Sequence, residues 1–243
     1  MNLIIDIGNT VAKLAVFEGD ELVEIVHSSN HSLDCLPLLC SKHAIQQGIM
    51  ASVIKLTDTI RKQVAQLPFH LIELTYQTPI PIHNYYKTPQ TLGMDRLAAV
   101  VGANYLKPGK NLLVIDAGTA ITYEFINENA EYFGGNISPG VRLRFKALNT
   151  YCEKLPMTDA KGDLPEFGYD TPTAIRAGVL RGIEFEIKSY IQWMRERHPG
   201  LLVFLTGGDC FTFDTHLRSI IFTDKYIVLK GLNRILNYNN DKQ

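Results

Sequence analysis

Apolar and polar positions along this chain follow two rhythms. Leu3, Ile4 and Ile5, then Leu14, Ala15, Val16 and Phe17, are short apolar runs with β-branched members, and they read as buried strands on either side of a small-residue turn. Residues 21–27 can add a third strand. Residues 30–47 read as helix interrupted by loops, with Gln47-Gly48 as the stop, and 48–53 as the next strand. Residues 55–66 fit a helix that begins near Thr57 or Asp58, and 71–75 a further strand. Residues 78–88 carry Pro79, Pro81 and the adjacent Tyr85 and Tyr86, which predicts extended loop.

A helical rhythm then takes over. Leu97, Val100, Val101 and Leu106 suit one face of a helix with Asp95 and Arg96 at its start. Pro108-Gly109-Lys110 is a clear breaker, so one domain is predicted over 1–107 and a second over 108–243. Residues 112–126 repeat the strand–turn–strand pattern, and 131–137 lead to a turn at Ser138-Pro139-Gly140 before a helix over 141–151. Residues 156–167 are a polar connection. Thr171 reads as a helix N-cap with Pro172 at the first helical position. Ile175, Val179, Ile183, Ile187 and Ile191 recur every four residues on the helix that follows, which should stop near His198-Pro199-Gly200. Residues 201–205 are a buried strand running into Thr206-Gly207-Gly208-Asp209, where paired glycines allow either a flat ring to lie on the backbone or a plain turn. The remaining chain, including 226–237, reads as one more strand and a final helix, with 237–243 a polar tail.

The candidate chemistry sits in the repeated unit. Asp6-Ile7-Gly8-Asn9-Thr10-Val11-Ala12-Lys13 places a carboxylate, a glycine, a hydroxyl and an ammonium around one turn. Glycine lets backbone approach an anion closely, and successive amides can form an anion-binding nest. Asp6 can hold hydrated Mg²⁺, which takes one or two carboxylates plus phosphate oxygens. Asp116-Ala117-Gly118-Thr119 repeats the pattern. The repetition predicts two similar half-domains with phosphate between their hairpins. No Gly-x-x-x-x-Gly-Lys-Ser/Thr loop occurs, and these glycines precede a strand. The strand and helix order of the first half matches a ribonuclease H-like unit. The predicted fold class is therefore α/β, with two ribonuclease H-like (actin-like ATPase) half-domains facing across a nucleotide cleft.

Composition narrows the classes. The chain is 46% apolar and 20% charged with a net charge of −1, which gives no reason to expect nucleic acid or a membrane surface as partner. The N-terminus lacks a basic n-region and no apolar run would span a bilayer, so a cytoplasmic location is expected. Cys35, Cys40, Cys152 and Cys210 have no zinc-site spacing and read as free thiols; His27 and His31 lack further ligand partners.

Taken together, the motifs resemble the type III pantothenate kinases, over nearly the whole chain. DIGNTVAK at 6–13 is similar to the family's first phosphate motif, GMDR at 93–96 to its substrate motif and DAGTAIT at 116–122 to its second phosphate motif. GGNISPG at 134–140 is similar to the loop that follows, and TGGD at 206–209 to the adenosine motif. The resemblance implies that residues 6–13 and Thr119 bind ATP, and that Asp95 is the proton acceptor. It implies that Gly93, Met94, Asp95, Arg96, Tyr86 and Thr171 contact pantothenate, with Tyr85 as the alternative register for Tyr86. It further implies that Asp116 binds a monovalent cation (potassium or ammonium), that ATP acts with Mg²⁺, and that the protein is a homodimer. Asp170 departs from the Asn common before this threonine. An Asp at a helix start is expected to have a depressed pKa. The competing functions are another kinase or ATPase of the same superfamily and a non-enzymatic accessory regulator of transcription.

Overall fold

The computed structural model describes residues 1–208 and 220–241. In chain order it contains β1 (Asn2–Ile7), β2 (Ala12–Glu18), β3 (Glu21–Ser28), α1 (Leu36–Lys42), β4 (Gln47–Ser52), α2 (Asp58–Ala65), β5 (His70–Glu73) and β6 (His83–Asn84). Then follow α3 (Met94–Leu106), β7 (Leu112–Ala117), β8 (Ala120–Ile126), β9 (Glu131–Pro139), α4 (Val141–Tyr151), α5 (Thr171–Arg197), β10 (Leu202–Gly207), β11 (Ile221–Thr223) and α6 (Ile227–Asn240). The chain forms two compact units. The first comprises Met1–Gly109, Ile126–Gly134 and Tyr226–Gln243, and the second Lys110–Phe125 and Gly135–Lys225.

Unit 1 is built on a five-stranded sheet in the order β3-β2-β1-β4-β5. β1 and β2 form an antiparallel hairpin in which Asp6 stands opposite Lys13. β4 adds parallel to β1, and β5 parallel to β4. Every residue of β1 is buried, as its apolar run requires of a strand covered on both faces. α2 starts where Thr57 Oγ1 accepts a hydrogen bond from the Ile60 amide at 3.2 Å. Inside the expected loop at 78–88, His83 and Asn84 pair in parallel with Glu131 and Tyr132.

The domain expected over 108–243 does not coincide with one compact unit, because α6 returns to unit 1 and packs against α3. The two helices cross at glycines. A side chain on Gly102 would collide with the Ile227 carbonyl, and one on Gly231 with the Ala98 carbonyl. Asn2 fastens the same helix to β1, donating to Asn233 Oδ1 and Asn237 Oδ1 at 2.8 Å each.

Unit 2 carries the strand order β11-β10-β7-β8-β9. β10 lies parallel to β7, with Thr206 opposite Asp116 and Gly207 opposite Ala117. The four-residue repeat on α5 is the core face: Ile183, Ile187 and Ile191 are fully buried against the sheet, alongside Ile175 and Val179. α5 runs 27 residues, and its N-cap is Asp170 rather than the expected Thr171. Asp170 Oδ1 accepts from the Thr173 amide at 2.9 Å, while Thr173 Oγ1 accepts from the Asp170 amide at 3.2 Å, a reciprocal capping box. Thr171 is thus the first helical residue and Pro172 the second. Among the described residues no helix is long and apolar enough to cross a membrane.

Candidate active site

In unit 1 the β1–β2 turn is closed by the Gly8 amide, which donates to the Val11 carbonyl at 3.1 Å. Gly8 is not in the left-handed region. Its small size matters instead for space, since a Cβ there would sit 3.2 Å from the Val11 oxygen. Asn9 and Thr10 are exposed at the tip. Behind them, the Asn30 side-chain amide donates to the carbonyls of Gly8 at 3.1 Å and Asn9 at 2.8 Å. Asn30 is itself buried. It was invisible as a site residue in the sequence, where it lies among Ser, Asn and His of an ordinary-looking loop. At the base of the turn, Lys13 Nζ lies 4.0 Å from a buried Asp6 carboxylate.

The start of α3 brings the substrate-motif residues into the same unit. Asp95 Oδ1 accepts from the Arg96 amide at 2.8 Å. Burial pushes the Asp95 carboxyl above its ordinary range, outweighing the Arg96 amide bond and the charges of Arg96 and Lys13. This reverses the depressed value expected at a helix start: desolvation of the carboxylate exceeds what one helix terminus returns. Arg96 is buried, and its guanidinium lies over the Tyr86 ring, 5.6 Å from the centroid. Tyr86 stacks on Tyr132, whereas Tyr85 is exposed and stacks on Phe133. Of the two tyrosines it is therefore Tyr86 that stands beside Arg96. Gly134, at φ +116°, is in the left-handed region directly against the Tyr86 ring, where a Cβ would come within 2.8 Å.

In unit 2 the second Asp-x-Gly turn is closed by the Gly118 amide bonded to the Ala120 carbonyl at 3.0 Å. Two other glycine turns converge on it. The Gly140 amide donates to the Thr119 carbonyl at 3.1 Å, and a Cβ on Gly140 would overlap the Gly118 and Thr119 carbonyls. Gly207, at φ +101°, lies against the Ala117 backbone, and the Gly208 amide donates to the Ala117 carbonyl at 3.1 Å. Thr206, Gly207 and Gly208 therefore adjoin the Asp116 turn, while Asp209 of that motif lies outside the described residues. Thr119 is exposed and Asp116 half-buried. Thr171 also belongs to unit 2, exposed at the first position of α5. Asp6, Lys13, Tyr86, Gly93, Met94, Asp95 and Arg96 all belong to unit 1.

Among the described residues no group of three or more His, Cys, Asp or Glu side chains could hold a metal ion. The donor sets are single carboxylates, Asp6 in one unit and Asp116 in the other. One carboxylate suits a hydrated Mg²⁺ completed by phosphate oxygens, in contrast to a closed all-protein metal cage.

The chain matches the family model for type III pantothenate kinase over residues 2–193. It is 64% identical over 240 residues to the type III pantothenate kinase of Phocaeicola vulgatus, covering 99% of both chains. It is 55% identical over 242 residues to that of Bacteroides fragilis, covering 100% of both. Among solved structures it is similar to a candidate Baf family transcriptional activator from Campylobacter jejuni, with a TM-score of 0.60 at 23% identity, covering 98% of this chain and 99% of that one. It is also similar to the Lmo2764 protein of Listeria monocytogenes, a candidate N-acetylmannosamine kinase, with a TM-score of 0.59 at 14% identity over 98% and 99% of the two chains. These structural likenesses place the α/β units in the actin-like ATPase and sugar-kinase fold class. The family match and the full-length identities go further: the chain belongs to the type III pantothenate kinase family.

Proposed function

We propose that this chain transfers the γ-phosphoryl group of ATP to the primary hydroxyl of pantothenate, giving 4′-phosphopantothenate, the first step of coenzyme A biosynthesis. The observation that carries the reading is the environment of Asp95. A half-buried carboxylate held at the start of α3 feels the charge of Lys13, a residue of the first phosphate turn, and neighbours Arg96. Phosphoryl transfer needs positioning and charge neutralisation more than covalent catalysis. In this reading Asp95 accepts the hydrogen bond of the pantothenate hydroxyl, orients it towards the γ-phosphorus and takes its proton as the bond forms. Its raised pKa, caused by burial, strengthens it as a base. Lys13, Thr10 and the turn amides of 8–12 contact the phosphates, and Thr119 is a further ATP contact. Arg96 or a neighbouring donor compensates the pantothenate carboxylate, and Tyr86, Gly93, Met94 and Thr171 complete its contacts. Asp6 would hold Mg²⁺, which neutralises charge on the transferring phosphoryl group when bound.

Three finer assignments belong to the same proposal. Asp116 binds a monovalent cation, potassium or ammonium, the protein is a homodimer, and it works in the cytoplasm. The deciding experiment is a coupled ADP-release assay with pantothenate against a panel of sugars and acetate. Turnover selective for pantothenate is expected; selective turnover of a sugar or acetate would overturn the assignment. Repeating the assay in potassium and in sodium at fixed Mg²⁺ and ionic strength tests the cation. Equal rates would remove that role from Asp116.

A further inference from the structure

Arg144 stands in the first turns of α4 and makes three contacts with its planar guanidinium. Nε donates to the Pro139 carbonyl at 2.8 Å, Nη2 donates to Ser138 Oγ at 2.9 Å, and Nη2 also bonds a carboxylate oxygen of Glu186 on α5. The other Glu186 oxygen accepts from the Tyr123 hydroxyl at 2.7 Å. The Tyr123 ring is in turn stacked on Tyr190, with centroids 3.9 Å apart. The Arg144 and Glu186 side chains are 21% and 22% exposed, so the pair is shielded enough from water to count for more than a surface ion pair. Burial opposes ionisation of Glu186, but the bonds from Arg144, Tyr123 and Ser138 outweigh it and hold the carboxyl below its ordinary range.

The turn expected at Ser138-Pro139-Gly140 is instead the end of β9 followed by Gly140, the extended N-cap of α4; the network holds this junction, and the junction holds a turn. The Gly140 amide bonds the Thr119 carbonyl at 3.1 Å, and Gly140 has no room for a side chain against the Gly118 and Thr119 backbone. A displacement of 138–140 therefore moves the turn at 118–119. We infer that Arg144, fixed by Glu186 and Tyr123, is a positioning residue that sets the second phosphate turn for ATP. The inference rests on the proposed kinase function, in which that turn grips nucleotide phosphate. An arginine suits the task because its rigid fork reaches two acceptors at the end of β9 and a carboxylate on another element at once. A lysine ammonium on a flexible stem cannot hold that geometry.

The test uses full-length Arg144→Met, Arg144→Lys, Glu186→Gln and the Arg144→Met/Glu186→Gln double variant. The Kd for Mg·ATP is measured calorimetrically without pantothenate, together with both KM values and the melting temperature. Arg144→Met and Glu186→Gln should each raise the Kd on the order of tenfold, as lost charge-assisted bonds imply, with the KM for pantothenate unchanged. The double variant should be no worse than the poorer single one. Arg144→Lys should keep most of the melting temperature, through its charge beside Glu186, yet lose ATP affinity. This separates positioning from bulk stability, and it carries the test if Arg144→Met fails to fold. Parental ATP affinity in the Lys and Gln variants, or additive losses in the double variant, would overturn the inference. Parent enzyme that binds ATP but leaves pantothenate unphosphorylated would overturn the kinase assignment and not the clamp.

Discussion

The side-chain amide of Asn30 donates to the Asn9 carbonyl at 2.8 Å, from 21 residues further along the chain. With its second bond to Gly8, it fixes the backbone of the β1–β2 turn from behind. Asn30→Ala removes two partly buried bonds, worth roughly 1 kcal/mol each, and Asn30→Asp replaces the donor by an acceptor facing two carbonyls. Both variants should raise the KM for ATP several-fold and lower the melting temperature, Asp more than Ala. Unchanged ATP kinetics in either would show that the turn keeps its shape without Asn30.

Gly8 and Gly118 offer a test of how closely phosphate approaches the two turns. Neither has a left-handed φ, so alanine brings no backbone strain at either. At Gly118 the nearest atoms to an added Cβ are 3.6 and 3.7 Å away, an ordinary contact, whereas at Gly8 the Val11 oxygen is 3.2 Å away. Gly118→Ala should melt like the parent and still raise the KM for ATP; Gly8→Ala should raise it and lose a little stability. A parental KM in Gly118→Ala would mean that phosphate does not run close over the second turn.

Asp95 should give opposite signs in activity and stability. Its carboxyl is raised by burial above the ordinary Asp value of about 3.9. The folded state thus favours the protonated form, and the stability this contributes is present at low pH and is lost as pH rises through the folded pKa. In its ionised form the group opposes folding, so at a pH above the folded pKa Asp95→Asn should melt higher than the parent while losing most turnover and retaining ATP binding. The acid limb of kcat/KM in the parent should fall above the pH of an unperturbed aspartate. Near-native kcat in Asp95→Asn would remove the residue from the chemistry.

Asp170 should behave as a cap. Its carboxyl is lowered by the hydrogen bonds of the Thr173 side chain and backbone amide. Its contribution is therefore present above the unfolded value and lost as pH falls through the folded one. Asp170→Asn keeps a capping oxygen and should leave the neutral melting temperature almost unchanged, with a flatter acid dependence. Asp170→Ala should lower it. Equal melting of Asp170→Ala and the parent at pH 7 would deny the cap.

The elements that announced themselves were those whose signal is local. The hairpin around Asp6–Lys13, its repeat at Asp116, and the four-residue isoleucine spacing on α5 each follow from the period of the element that carries them. What stayed hidden depends on partners far along the chain. Thr171 and Asp170 both fit an N-cap, and only the reciprocal bonds with Thr173 decide between them. Gly102 and Gly231 read as weak points of two helices until the crossing shows each making room for the other's backbone. The sign of the Asp95 shift could not be had from its helix position, because burial is a property of everything packed around it. Asn30, Arg144 and Glu186 are polar residues in unremarkable stretches, visible only by what they touch.

The bonds from Asn2 to Asn233 and Asn237 span 231 and 235 residues. On the ribosome, all of unit 2 emerges before α6, the helix that covers Ala98 and Gly102 of α3. A nascent chain that has already made the Asp6 turn and Asp95 must therefore keep the apolar face of α3 uncovered while more than a hundred further residues are added. The first unit closes only around the last helix, so a stalled or shortened chain would offer that face to chaperones and to other nascent chains.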